Sequence, residues 1–156
     1  MRKIAAFAVL FLAVTTFGAP VMAVEKCSVG DAAAEKAGGY ANAVKAAVKD
    51  ASNCERAYKT LAACQLGSSA DNALANIVLS KCEPLFMGQA SPATKKAYQK
   101  AQDRCNKIAE KNEGTMYQGF AAVCRAGAAR DLARKYSGKR SRSRSRQPSD
   151  KNPRVR

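Results

Sequence analysis

The chain has 156 residues, enough for one small domain, and a formal net charge of +15 at pH 7. It contains no His, which excludes Ser-His-Asp and Cys-His catalysis and every His metal site. Glu110 and Glu113 are near each other, but the lysines beside them are typical of a solvated surface rather than a catalytic pair. We therefore predict no catalytic residue, no metal site and no cofactor, and a protein that is not an enzyme.

The first 23 residues have the three parts of a secretory signal peptide. Arg2 and Lys3 form a basic start, residues 4–17 an apolar run, and residues 21–23 a small-x-small cleavage pattern. The apolar run is too short to span a bilayer core of ~30 Å, which disfavours the alternative of an uncleaved anchor. We predict that the mature chain starts at Val24 and is exported to the periplasm or the extracellular space.

Residues 31–136 show helical apolar spacing and no strand pattern. A short helix is predicted over about residues 30–37, before the break at Gly38-Gly39. The next helix is predicted to run from Tyr40 to Gly67. It carries one apolar stripe, formed by Tyr40, Val44, Val48, Ala51, Cys54, Tyr58 and Leu61.

The third predicted helix starts at a capping-box pattern. The Ser68 oxygen and the Asp71 carboxylate are expected to accept hydrogen bonds from otherwise unpaired backbone N–H groups. Pro84 ends this helix, and residues 85–90 are predicted to form a connecting loop. Its apolar face consists of Leu74, Ile77, Val78 and Cys82.

Two further helices are predicted in the C-terminal half. Ser91 is the expected N-cap of the first, with Pro92 in the first turn, and this helix ends near Lys111. A turn at residues 112–115 leads to the last helix, which is predicted to end at Gly138. The first helix presents Tyr98, Gln102, Cys105, Ile108 and Ala109 on one face, and the last presents Tyr117, Phe120, Ala121, Cys124, Ala128, Leu132 and Tyr136. Tyr98 and Tyr117 each precede a cysteine by seven residues and are predicted to be core residues.

All six cysteines follow the predicted signal peptide, and none is in a C-x-x-C motif. An even count in an exported protein predicts disulfides rather than the alternative of six buried free thiols. In an antiparallel helical hairpin, residues at equal distances from the turn lie opposite each other. This favours Cys54–Cys82 and Cys105–Cys124, which leaves Cys27–Cys64. The alternative is the sequential order Cys27–Cys54, Cys64–Cys82 and Cys105–Cys124, which a kink near Ser52-Asn53 would allow. The predicted fold is a small all-α, disulfide-stapled bundle built from helical hairpins.

Positive charge is concentrated at the C-terminus. Residues 24–136 carry a net charge of +6 and residues 137–156 a net charge of +7. We call residues 139–146 the C-terminal basic segment; its cations are Lys139, Arg140, Arg142, Arg144 and Arg146. These five are the predicted anion-binding residues. The composition predicts that residues 138–156 form a disordered tail beside a helical domain at 24–137.

An anionic polymer or lipid of the cell envelope is the expected partner of the tail, because Arg side chains bind phosphates and carboxylates. Nucleic acid is an alternative partner, and a purely solubilising tail is the alternative role. The sequence thus predicts an exported, non-enzymatic binding protein of the envelope or extracellular space.

The segment from Ser91 to Leu132 resembles the LprI-type periplasmic lysozyme-inhibitor-like domain. The resemblance is carried by Ser91-Pro92, Gln102, Cys105, Glu113-Gly114-Thr115-Met116, Cys124, Arg130 and Leu132. It implies a small, helical, disulfide-bonded envelope protein, and it gives the alternative function: a lysozyme-inhibitor-like or other protein-binding module that acts through the helical domain. We carry over no inhibitory residue, because the Trp that the family has after the Gln is absent here.

Overall fold

The computed structural model describes residues 26–144, and for residues 139–144 it gives the backbone only. The regular elements in this range are helical, as predicted. They are α1 (Asp31–Lys36), α2 (Tyr40–Asp50), α3 (Cys54–Ala63), α4 (Asp71–Cys82), a 3-10 turn (Glu83–Leu85), α5 (Pro92–Glu110) and α6 (Thr115–Arg144). The predicted signal peptide and Arg146 lie outside the described residues.

The predicted helix from Tyr40 to Gly67 is in fact two helices, α2 and α3. The backbone of Ala51 leaves the helical conformation, and Asn53 caps α3 by accepting a hydrogen bond from the Arg56 N–H at 2.9 Å. The Lys81 ammonium donates to the carbonyl of Ala51 at 3.0 Å, so the break leaves this carbonyl paired. The apolar stripe hid the break, because both helices keep their apolar residues on the core side.

Asp71 is the first residue of α4 and is fully buried. Its carboxylate accepts hydrogen bonds from the backbone N–H of Leu66 at 2.8 Å and of Ser68 at 3.3 Å, so its predicted role in pairing backbone N–H groups is confirmed. Ser68 lies in the preceding turn, where its hydroxyl accepts from the Ala70 N–H at 3.3 Å. The helix therefore begins later than the capping-box pattern indicated, because Asp71 ties the loop down from inside α4.

The central helix of the bundle is α6, which packs against α3, α4, α5 and the 3-10 turn. Its buried face was predicted correctly in part. Ala121 is buried, and Ala128, Leu132 and Tyr136 pack against the core, but Phe120 is 41% exposed and Tyr117 and Cys124 are not buried. The buried residues of α6 are small, namely Gly119, Ala121, Ala122, Ala126, Gly127, Ala129 and Ala133. Small residues permit the close approach that a helix surrounded by other helices needs, whereas large aromatic side chains are left at the edge.

The predicted loop at residues 85–90 contributes the largest fully buried side chain, that of Phe86. The 3-10 turn places its ring edge-on against Tyr98, with the ring centroids 5.1 Å apart, and 6.2 Å from the Tyr136 ring. The core position predicted for Tyr98 is correct, since this residue is 6% exposed. In a core built largely of alanine, these aromatic rings supply much of the buried apolar area.

The three disulfides are the pairs that the hairpin geometry favoured. Their Cα–Cα distances are 4.8 Å for Cys27–Cys64, 4.9 Å for Cys54–Cys82 and 5.5 Å for Cys105–Cys124. The sequential order does not occur, and no cysteine is free. Each bridge joins a different pair of segments. Cys27–Cys64 joins the segment before α1 to the end of α3, Cys54–Cys82 joins α3 to α4, and Cys105–Cys124 joins α5 to α6.

Candidate functional site

The C-terminal basic segment is the candidate that the sequence singled out, and its first part continues α6. The helix does not end at Gly138 as predicted but extends to Arg144. Gly138 does not have a positive φ, so it is an ordinary helical residue. A packed helix propagates through one glycine at a cost of only about 1 kcal/mol, and the Lys and Arg residues that follow are good helix formers near the negative end of the helix dipole.

Lys139, Arg140, Arg142 and Arg144 therefore lie on the last turns of α6. Arg146 and the rest of residues 145–156 are outside the described part of the chain. The six helical residues beyond Gly138 extend α6 by about 9 Å, at a rise of 1.5 Å per residue. The bundle thus holds the start of the C-terminal basic segment in a defined direction.

An open groove of about 700 Å³ lies where α6 leaves the bundle. Thr94 and Ala97 of α5 line one side, and Lys135, Tyr136 and Gly138 of α6 line the other. This places the beginning of α5 beside the beginning of the C-terminal basic segment.

Two arginines anchor this part of α6 to α3. Arg134 donates to the Glu55 carboxylate at 2.7 Å, and Arg130 lies 3.4 Å from the same oxygen. The Arg130 guanidinium also stacks on the ring of Tyr58, 4.2 Å from its centroid. Burial raises the pKa of Glu55, but the hydrogen bonds and charges of the two arginines outweigh it, so the pKa is lowered below the usual range.

Arg125 connects α6 to two other helices, a role that the sequence did not reveal. Its guanidinium donates to Asn72 of α4 at 2.6 Å and to Asn106 of α5 at 2.9 Å. Gln102 of α5 donates in turn to the backbone carbonyl of Arg125 at 3.2 Å. These bonds fix which face of α5 turns inward, and hence which face meets solvent.

The outward face of α5 carries a row of cations that the sequence analysis missed. We call it the basic stripe; its residues are Lys96, Lys100, Arg104 and Lys107 of α5 and Lys111, the C-cap residue that follows α5, all exposed. Spacings of four, four, three and four residues put them within an arc of about 80° along about 22 Å of helix. The buried Tyr98 and Cys105 lie on the opposite side of the helix. The signal was present in the sequence as an i, i+4, i+8, i+11, i+15 pattern of positive charge.

Polar groups with an altered pKa elsewhere are part of the packing. Tyr98 donates its hydroxyl hydrogen to Glu83 at 2.7 Å. Burial is the larger cause of the raised pKa of Tyr98, and this hydrogen bond adds to it.

Glu110, at the end of α5, and Glu113, in the turn after it, are both exposed. Within residues 26–144, no group of three or more Cys, Asp or Glu side chains is placed to hold a metal ion.

None of the helices in the described part of the chain is long and apolar enough to cross a bilayer. Comparison of the chain with models of protein families, with curated proteins and with solved structures found no match.

Proposed function

We propose that the chain is an exported, non-enzymatic binding protein of the cell envelope or extracellular space, whose C-terminal basic segment contacts anionic surfaces or polymers. The observation that supports this most is the placement of charge: five cations and no acid within residues 139–146, beginning on a helix that the bundle anchors through Glu55. Such a cluster attracts anions over roughly a Debye length, about 10 Å at 0.1 M salt.

Export is supported by the three disulfides, which form and persist in an oxidising compartment. The intact mass of the protein recovered from the periplasm or medium tests this part of the proposal. We expect a chain that begins at Val24 and takes up no alkylating reagent unless it is first reduced. A chain that retains residues 1–23, or one with reactive thiols, would contradict export.

The binding role is tested with a segment variant of the mature chain, in which Lys139, Arg140, Arg142, Arg144 and Arg146 are each replaced by Gln. Substitution is preferable to deletion, because residues 139–144 are part of α6. A control, the scattered variant, replaces five other exposed cations by Gln: Lys26, Lys36, Lys45, Lys49 and Arg56. Both variants lose the same charge from different places.

We expect the unsubstituted chain to be retained on immobilised lipopolysaccharide and heparin at low salt, and the segment variant to elute at clearly lower salt than the scattered variant. Contacts made by charge weaken as salt rises, so retention should fall steeply with ionic strength. Equal elution of the two variants would mean that the C-terminal basic segment has no binding role of its own.

A protein-binding module is the second candidate, and exposed apolar side chains favour it. Met116 is 46% exposed and Phe120 41% exposed at the start of α6, next to the turn at Gly114 that the lysozyme-inhibitor resemblance includes. Exposed apolar residues that cluster are common in protein interfaces. An assay of lysozyme inhibition tests this candidate, with Met116→Ser and Phe120→Ser combined in one variant. Inhibition by the unsubstituted protein that is lost in the variant supports a protein-binding role. No inhibition by the unsubstituted protein would contradict lysozyme as the partner.

A further inference from the structure

The basic stripe does not help to stabilise the fold of the domain. Its cations form four successive like-charged neighbours at i+3 or i+4, an arrangement that destabilises a helix. Among the described residues, no carboxylate lies within ion-pair distance of the stripe. Glu55 and Asp131 form their ion pairs with Arg130 and Arg134 of α6 instead. Asp103, on the flank of the stripe, is hydrogen-bonded to Gln99 at 3.1 Å instead. The row of charge therefore calls for an explanation outside the domain itself.

The form of the stripe limits the partner. Five cations in a straight row of about 22 Å match a linear polyanion better than a compact ion. Four of the five are Lys, which binds anions as a point charge, without the fork geometry by which Arg recognises phosphate. Such a row suits a chain of repeated charges whose exact orientation varies.

The surroundings of the stripe disfavour membranes and single-stranded nucleic acid. An interfacial helix needs large apolar side chains next to its cations, and a single strand needs aromatic rings on which bases stack. The large apolar side chains that are exposed among residues 26–144 are Tyr40, Leu85, Met116 and Phe120, and none of them is on α5.

We propose that the outward face of α5 is a binding surface for a linear acidic polysaccharide, with its carboxylate or sulfate groups lying along the basic stripe. This surface goes beyond the proposed function, because it belongs to the folded domain and does not require the C-terminal basic segment. The two are neighbours, however. The groove lined by Thr94 and Gly138 places the beginning of α5, where the stripe starts, at the same end of the bundle as the beginning of the segment.

The test uses a stripe variant of the full mature chain, with Lys96→Gln, Lys100→Gln, Arg104→Gln, Lys107→Gln and Lys111→Gln. It is compared with the scattered variant and the segment variant, which lose the same number of charges. The probes are heparin, which carries sulfates and carboxylates, and polygalacturonate, which carries carboxylates only. A single-stranded oligonucleotide and vesicles with anionic lipid are measured in parallel.

We expect the stripe variant to bind at least one of the two polysaccharides about tenfold more weakly than the scattered variant at 0.1 M salt, with a shallower dependence of log Kd on log salt because fewer counterions are released. A loss with both probes identifies carboxylate as sufficient, and a loss with heparin alone identifies sulfate; either supports the proposal. Equal affinities of the stripe and scattered variants would overturn it, as would a loss confined to the oligonucleotide or to the vesicles.

Lysine acetylation of the unsubstituted protein gives a second measurement that does not depend on the folding of a variant. With polysaccharide bound, Lys96, Lys100, Lys107 and Lys111 should be protected, and Lys45 and Lys49 should react as in the free protein. Uniform protection, or none, would contradict the proposal. The two proposals can fail separately. If only the stripe variant binds more weakly than the scattered variant, the proposed function of the segment is refuted and the stripe remains a binding surface. If only the segment variant binds more weakly, the stripe proposal is refuted and the proposed function remains.

Discussion

Replacing Gly119 by Ala tests the close approach of α6 to the start of α4. An added Cβ would lie 2.8 Å from the Asp71 carboxylate, 2.8 Å from the backbone oxygen of Ser68 and 3.1 Å from its nitrogen. Two of these atoms are backbone. The third is one oxygen of a buried carboxylate whose two oxygens each accept a backbone hydrogen bond, so none of the three can move cheaply. Overpacking of this kind costs about 1–3 kcal/mol, and the better helix propensity of Ala returns about 1 kcal/mol.

Because none of these atoms can move cheaply, the cost should lie in the upper part of this range, about 2–3 kcal/mol. After the gain from helix propensity, we expect Gly119→Ala to reduce the free energy of unfolding by about 1–2 kcal/mol, which is a fall in Tm of roughly 4–8 °C for a domain of this size. Gly138→Ala is the matched control in the same helix, because nothing lies within 4 Å of a Cβ there. It should raise stability by up to about 1 kcal/mol. Thermal unfolding followed by far-UV circular dichroism, with the disulfides intact, measures both variants.

Similar changes in Tm for the two variants would refute the close approach at Gly119. The sign for Gly138→Ala is informative by itself. If Gly138 ended the helix, as the sequence predicted, and had the left-handed conformation common at helix ends, Ala would destabilise the protein at this position. Stabilisation is the result that agrees with a helix continuing to Arg144.

Three further variants test other parts of the structure. Phe86→Ala should cost about 3–5 kcal/mol in urea unfolding, whereas Leu85→Ala, at an adjacent exposed residue, should cost less than about 1 kcal/mol; equal costs would show that Phe86 is not in the core. Replacing Cys105 and Cys124 together by Ala should cost about 3 kcal/mol, from the chain entropy of the loop that they close, and an unchanged urea midpoint would count against this bridge. Glu55→Gln should remove a stabilisation that is present above the unfolded pKa of 4.5 and is lost as pH falls through the lowered pKa of the folded state. This stabilisation should be less than about 1 kcal/mol, because the Glu55 carboxylate is more than a third exposed. A Tm difference between Glu55→Gln and the unsubstituted protein that persists unchanged into acid would contradict this prediction.

Local chemistry was enough to predict the elements with strong start and stop signals. Ser91 and Pro92 begin α5 as predicted, with the Ser91 hydroxyl accepting from the Thr94 N–H at 3.2 Å. The sequence also favoured the observed disulfide pairs over the sequential order, because the hairpin turns at Gly67 and Gly114 bring Cys54 level with Cys82 and Cys105 level with Cys124. Cys27–Cys64 was then the remaining pair. Both are short-range consequences of backbone geometry, which neighbouring residues control.

The tertiary structure decided what spacing could not. Apolar periodicity favoured the aromatic side of α6, but the helix lies at the centre of the bundle, so its Gly and Ala face is buried and Phe120 is left at the surface. Gly138 reads as a helix end in sequence, yet a helix anchored through Arg130 and Arg134 continues past it.

The candidate sites divide in the same way. The C-terminal basic segment can be read from composition alone, because it needs no partner to be recognised as a cluster of charge. The basic stripe is present in the spacing of α5, opposite the face of Tyr98 and Cys105 that the sequence predicted to be apolar. The burial of these two residues and the bond of Arg125 to Asn106 confirm that the stripe is turned to solvent. Which face of a helix is buried depends on the helices around it, and that information is non-local.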